Sequence, residues 1–312
     1  MSFLYFLEGL RTPVLDTLFS IITRCGEETI FMAIGMVVFW CVNKYQGYYL
    51  LSVGFVGTVI NQFLKMVFRI PRPWIKDPAF TIVESAREAA SGYSFPSGHT
   101  QTAVGLFGGL ARANRGAVLR GISVALCVLV PLSRMYLGVH TPLDVGVSIG
   151  IALLLIFAVY PLFMKAEHSP RTMYTLLCGA LILVIAFTCY VNLFPFPEEV
   201  YVEPSLHNLL SAQKNAATLT GCLLGFLVVY TVDLRYVRFD TRAVWWAQII
   251  KTVVGLALVL AAKELLKLPL NALLPEYPAR MVRYFLLVIV GGILWPMTFR
   301  FFGRLGRKKD EM

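Results

Sequence analysis

Apolar runs of fifteen to twenty-three residues, each closed by a short polar loop, recur along most of this chain. At 1.5 Å of rise per residue, roughly 20 apolar residues cross the hydrocarbon of a bilayer. The pattern predicts membrane segments at 29–43, 47–69, 97–111, 117–137, 142–164, 172–194, 214–233, 244–264 and 281–301, with 97–111 short for a full crossing. Residues 3–23 are also apolar but are interrupted by Glu8, Arg11, Pro13 and Asp16, which predicts an amphipathic helix lying at the interface. The long polar gap runs from Ile70 to Pro96; within it Ala79–Ala90 is expected to form a short amphipathic helix on the membrane surface. The fold class expected is all-α, a polytopic transmembrane helix bundle. Its parts are an interfacial N-terminal helix at 1–28, a core at 29–170, and a remaining core helix with additional C-terminal membrane helices at 171–312. No internal repeat is sustained.

Composition agrees with that pattern. Hydrophobic residues make up 57% of the 312 and charged ones only 15%, against about 25% charged in soluble domains. A net charge of +10 invites a nucleic-acid partner, but the cations sit in short loops between apolar segments, as the positive-inside rule requires. No nucleic acid is expected, and the partner is the bilayer itself. The loops around Lys44, Arg112–Arg120, Lys165–Arg171, Arg235–Arg242 and the C-terminal tail carry 14 Lys and Arg against 10 on the other side. The first set is therefore expected in the cytoplasm, which leaves the Ile70–Pro96 loop outside. Cys41, Cys127, Cys178, Cys189 and Cys222 fall in or beside apolar spans with no C-x-x-C spacing, and read as small hydrophobes. The N-terminus shows no cleavable signal sequence.

Polar chemistry concentrates in two stretches, Lys65–Pro73 and Tyr93–Asp144. A lysine inside an apolar segment marks a site or snorkels to the headgroups; for Lys65 taken alone the second is commoner, and Lys251, within 244–264, is expected to snorkel toward the cytoplasmic side. Arg72 lies seven residues, about two helical turns, beyond Lys65, and Pro71 and Pro73 flank it, ending the helix. Its planar fork suits phosphoryl oxygens. Pro96-Ser97-Gly98-His99-Thr100 precedes an apolar helix: Ser97 suits the N-cap, Gly98 lets a ligand approach the backbone, and the first-turn amides favour an anion. His99 would then place an acid beside that anion, or merely pack.

In Ser133-Arg134…His140-Thr141-Pro142-Leu143-Asp144, Thr141 and Pro142 start the next helix and Asp144 lies within its first turn. A carboxylate holding one imidazole nitrogen of His140 leaves the other as a nucleophile, though Asp144 as a cap alone is the plainer alternative. His168 and His207 have no partner at useful spacing and are expected in solvent. No histidine–carboxylate pattern asks for a metal.

Together these pieces resemble the three-part signature of the type 2 phosphatidic acid phosphatase superfamily: K-x6-RP at Lys65…Arg72-Pro73, PSGH at Pro96-Ser97-Gly98-His99, and SR-x5-H-x3-D at Ser133-Arg134…His140…Asp144. All fixed positions match, in order and at the family's spacing, over about residues 30–165. The resemblance implies a six-segment phosphatase core and a metal-independent, cofactor-free hydrolysis of lipid phosphates. In that reading His140 attacks phosphorus, Asp144 orients it and His99 protonates the leaving oxygen, while Lys65, Arg72, Ser97, Gly98 and Arg134 hold the nonbridging oxygens. Undecaprenyl pyrophosphate, phosphatidic acid and phosphatidylglycerol phosphate are the substrates the family suggests, and the short loops suggest a bacterial plasma membrane with the site facing outward. A glucose-6-phosphatase-like sugar phosphatase and a vanadium haloperoxidase share the anion site, the latter being typically soluble. A lipid-phosphate transporter would need the cations but not the His140–Asp144 pair. Oligomeric state is not legible.

Overall fold

The structure, a computed structural model, describes residues 1–305. Of the basic C-terminal tail, Arg307, Lys308 and Lys309 lie outside the described residues. Every regular element among the described residues is helical. In chain order these are α1 (Ser2–Gly9), α2 (Pro13–Arg24), α3 (Glu28–Val37), α4 (Lys44–Phe68), α5 (Pro73–Lys76), α6 (Gly98–Ala103) and α7 (Gly109–Ala113). They continue as α8 (Ala117–Tyr136), α9 (Pro142–Ala166), α10 (Pro170–Leu193), α11 (Ser205–Val232), α12 (Trp245–Leu265), α13 (Lys267–Leu273), α14 (Glu276–Ile289) and α15 (Phe299–Phe302). Single π-helical turns prolong α3, α11 and α14 and join α6 to α7. Among the described residues six helices are long and apolar enough to cross a membrane, or seven if the pair Pro13–Arg24 and Glu28–Val42, which meet at 48°, is one broken span. The protein is thus a multi-pass, all-α membrane protein.

Of the nine expected membrane segments, 97–111 is split into α6, a π turn and α7, and neither it nor 244–264 (α12) is among these spans. Two further expected elements take a different form. Residues 3–23 are not one helix but two, broken at Leu10–Thr12. The Thr12 hydroxyl caps α2 by accepting from the Leu15 amide at 3.3 Å, and Pro13 at the first helical position has no N–H to give to the preceding turn. Ala79–Ala90 forms no amphipathic helix, only two short 3₁₀ turns, Glu84–Ala86 and Glu88–Ala90. Its backbone is claimed elsewhere: the Val83 amide donates to Leu137 O at 3.1 Å, and Ala86 and Ala90 are buried with Tyr136, Leu137 and Val139.

The chain divides into two compact units. The first comprises Met1–Met32, Leu50–Pro161 and Leu193–Ala212. Within it α8 is the central post, touched by α1, α2, α6 and α7. The Ile70–Pro96 loop is tied down beside it. Phe80 and Ile82 are buried with Leu4 of α1, and the Ser94 amide donates to Ile70 O at 2.8 Å. Helix α2 clamps the end of α8: Phe19 packs on Tyr136 with ring centroids 4.3 Å apart, and the Tyr136 hydroxyl donates to Asp16 Oδ1 at 2.8 Å. An aromatic pair of this kind contributes about 0.5–1.5 kcal/mol beyond its buried area.

The second unit comprises Ala33–Tyr49, Leu162–Asn192 and the chain from Gln213 onward. Trp40 Nε1 donates to Gly291 O at 2.8 Å, and Gly255 lies against Trp40 and Trp295 with no room for a Cβ. Lys44 pairs with the buried Asp233 at 2.7 Å. Lys251 overturns the expectation that it snorkels toward headgroups. It is fully buried, donates to Thr241 O at 3.0 Å and sits 4.4 Å from the Phe299 ring centroid. A carbonyl and an aromatic face reached inside the fold replace the headgroup contact.

Candidate active site

All the chemistry-bearing residues singled out above fall in the first unit, at the ends of α4, α6, α8 and α9. Each is held there by a local device. The turn from α8 into α9 depends on Gly138, whose φ of +81° is a left-handed conformation that glycine adopts without strain. That turn delivers His140 directly before α9. The start of α9 is a reciprocal cap: the Thr141 amide donates to Asp144 Oδ2 at 2.8 Å, and the Asp144 amide donates to Thr141 Oγ1 at 3.2 Å. Asp144 is therefore both a helix cap and a partner of His140, whose Nδ1 lies 3.5 Å from the same Oδ2. Both side chains are buried.

Against the same imidazole stands Arg72. It caps α5 from the extended region, and its guanidinium is immobilised by three carbonyls: Nε donates to Gly92 O at 3.0 Å, NH1 to Val139 O at 2.9 Å and NH2 to Ser91 O at 2.8 Å. The same NH1 lies 2.9 Å from His140 Nε2. Lys65, a few residues before the end of α4, is buried and donates to Tyr93 O at 2.5 Å.

Ser97 caps α6, its hydroxyl accepting from the Thr100 amide at 3.4 Å, and its own amide donates to Asp144 O at 3.2 Å. That backbone bond ties the α6 start to the α9 start, so the Gly98 and His99 amides of the first turn sit beside the His140–Asp144 pair. Arg134 is fully buried and donates from NH1 to Thr23 Oγ1 at 2.8 Å. The remaining Arg134 Nε and NH2, together with His99 Nε2, are buried with no hydrogen-bond partner.

Charge gathers on one side. His140 is acted on by Arg72, Arg134, Lys65 and His99, and the three cations also act on His99. Burial first, then those cations, holds the proton affinity of His140 well below that of an ordinary imidazole. The ring is neutral at neutral pH. Arg72 NH1 is also 3.5 Å from Nδ1, so it bears on the ring as a whole, and the tautomer sets which nitrogen donates and which accepts.

All eight residues singled out in the sequence thus lie in this one region. His168 and His207 are exposed. Sequence reasoning missed four contributors. Ser94 donates its hydroxyl to Asp144 Oδ2 at 2.6 Å, wholly buried. Thr23 holds Arg134. A Cβ on Gly26 would come within 2.8 Å of His99 O, so that glycine lets α2 turn closely past His99. Asn61 is buried with neither amide atom paired, and its Oδ1 approaches Gly98. Asn61 was findable, because it precedes Lys65 by four residues and shares its helix face. Thr23 and Gly26 carried no local signal, since nothing near them in sequence bears chemistry.

The chain matches two family models in succession: the PAP2 superfamily over residues 45–168 and the PAP2 superfamily phosphatase transmembrane extension over residues 217–308. It is 26% identical over 225 residues to human sphingosine-1-phosphate phosphatase 2, covering 70% of this chain and 53% of that protein. It is 28% identical over 151 residues to undecaprenyl-diphosphatase BcrC of Bacillus subtilis (strain 168), covering 47% of this chain and 74% of the relative. Phosphatidylglycerophosphatase B of the same bacterium is 29% identical over 163 residues, covering 48% of this chain and 76% of its own length. The chain therefore spans about half the length of the human relative. No solved structure matches it. With its three motifs gathered in one buried cluster and both models falling in register along its length, the chain belongs to the PAP2 superfamily, its core followed by the superfamily's transmembrane extension.

Proposed function

We propose that the protein is an integral membrane phosphatase acting on lipid phosphate or diphosphate esters through a phosphohistidine. The observation that carries this reading is the set of buried donors left without partners, Arg134 Nε and NH2 and His99 Nε2, beside a neutral imidazole flanked by Arg72 and Asp144. Buried polar groups are normally paired. A phosphoryl group in front of His140 pairs these, and it meets the charge of Lys65, Arg72 and Arg134 as well. Related proteins named for sphingosine 1-phosphate, undecaprenyl diphosphate and phosphatidylglycerophosphate support the lipid class.

In this mechanism the negative charge of the bound substrate offsets the three cations around His99 and lets it take up a proton. The His140 Nε2 lone pair then attacks phosphorus, and the bond to the leaving oxygen breaks as His99 gives that oxygen its proton. Asp144 stabilises the charge that develops on His140. Water then attacks the phosphohistidine and gives its proton to His99. The P–N bond breaks, and inorganic phosphate leaves with His140 neutral again. Most of the acceleration comes from placement and from fixed positive charge on the phosphoryl oxygens. Proton donation contributes roughly 10²–10⁴-fold. Lys65, Arg72 and Arg134 supply the charge that a divalent cation supplies elsewhere, so the reaction is metal-independent. The site faces outward, as the loop charges indicate.

The experiment is a turnover assay of purified protein in EDTA on phosphatidic acid, a polyprenyl diphosphate, sphingosine 1-phosphate and glucose 6-phosphate, with acid-labile phosphate trapped on the protein. Release from the lipids, a trapped phosphohistidine lost in His140→Ala, and no gain from Mg²⁺ support the reading. Preference for the sugar phosphate, or activity only with added metal, refutes it.

A further inference from the structure

The first unit carries a second concavity that the cluster does not use. A groove of about 650 Å³ runs between α6–α7, α8 and α9, with Gly108, Val128, Ile149 and Ile156 in its walls. That volume is within the ~300–1,000 Å³ of ligand sites. Met135 and Val145, chain neighbours of Arg134 and Asp144, lie at one end, and Arg112 and Arg120 bound the other. On α8, Arg120 precedes Arg134 by fourteen residues, about 21 Å along the axis. The arginine pair is therefore at the end of these helices remote from His140.

Both arginines border the same end of the groove. Arg120 Nε donates to Ala111 O at 3.3 Å, next to Arg112, and Arg112 lies over the Tyr160 ring at 4.5 Å. Both side chains are exposed, and among the described residues neither forms an ion pair. Between Glu88 and Glu167 the only acidic residue is Asp144, so no carboxylate of this segment balances them.

We propose that the groove seats one anionic phospholipid of the bilayer, its phosphate between Arg112 and Arg120 and an acyl chain along the apolar wall. The positive-inside rule accounts for arginines in this loop, but not for an apolar concavity that begins at them. Basic pockets between transmembrane helices are where anionic headgroups are held. A substrate tail is the weaker occupant, because it would end on two unpaired cations with no anion to meet them.

The test mixes full-length protein in detergent with equimolar phosphatidylglycerol and phosphatidylcholine of identical chains and counts retained lipid by native mass spectrometry. Phosphatidylglycerol should be retained roughly thirtyfold over phosphatidylcholine, as two arginines at one headgroup imply. Arg112→Gln with Arg120→Gln should erase that preference. Val128→Trp, which fills the groove and keeps both arginines, should lower phosphatidylglycerol retention to a similar degree. Monodispersity on gel filtration checks folding for each variant. Equal retention of the two lipids, or no effect of Val128→Trp, would overturn the proposal. So would a raised KM for lipid phosphate in Val128→Trp with phosphatidylglycerol retention unchanged, which would give the groove to the substrate.

Discussion

Arg72 NH1 lies 2.9 Å from Nε2 of His140, on the atom that the phosphohistidine reading makes the nucleophile. The same nitrogen reaches Val139 O, so the guanidinium holds the ring in place while its lone pair waits. On the proposed mechanism this N–H turns to a phosphoryl oxygen when substrate binds, which frees the ring to attack. Arg72→Lys keeps a positive charge but loses the fork. Its kcat should fall about 10²–10³-fold, the usual cost of one preorganised donor, with a smaller change in KM. A variant within threefold of the native kcat would show that Arg72 only adds charge.

On the proposed mechanism Ser94 acts through Asp144, to whose Oδ2 its hydroxyl donates. Ser94→Ala removes the 2.6 Å bond to Oδ2 and leaves the Thr141 amide in place. A hydrogen bond to a charged group contributes about 1.5–3 kcal/mol. Turnover should therefore fall at least tenfold with KM nearly constant, and Ser94→Thr should recover part of it. An unchanged kcat with a lowered melting temperature would make the hydroxyl purely structural.

The pH dependence follows from the burial and cation field that depress His140. Because its pKa lies well below the usual 6.5, the free enzyme keeps the nucleophile unprotonated through neutrality. The acid limb of kcat/KM for that group should then lie on the acid side of 6.5. Removing a neighbouring cation favours the protonated ring, so in Arg72→Gln the limb should move to higher pH. Movement in the opposite direction contradicts the assignment.

The N-terminal segment should matter to activity as well as to folding. A Cβ at Gly26 meets His99 O at 2.8 Å and Val130 Cγ1 at 2.9 Å, whereas one at Gly9 meets nothing within 4 Å. Gly26→Ala should destabilise the protein by about 1–3 kcal/mol, as overpacking does, and reduce turnover. Gly9→Ala should do neither. Thermal unfolding and turnover on the two variants decide it.

Much of this architecture was legible because membrane helices announce themselves by length and apolarity, and because the three motifs keep fixed spacing. The break at Thr12–Pro13 was legible in principle, since a capping threonine before proline is a start signal. The Ala79–Ala90 expectation went wrong because helical periodicity says nothing about a backbone already claimed by Leu137 O. Lys251 was misread for a related reason: its carbonyl and aromatic partners, Thr241 and Phe299, come from other parts of the chain. Thr23 is the extreme case, a contact to Arg134 across 111 positions of sequence.

The double duty of Asp144 bears on how relatives of this chain should be sorted. Because its carboxylate also closes the first turn of α9, a descendant that abandoned turnover would still be selected to keep an acid there. An aspartate at this position is thus a mark of ancestry and of a well-formed helix start. The side chains of His140 and His99 close no helix turn, so on the proposed mechanism their loss is the sign by which a retired copy could be told from a working one.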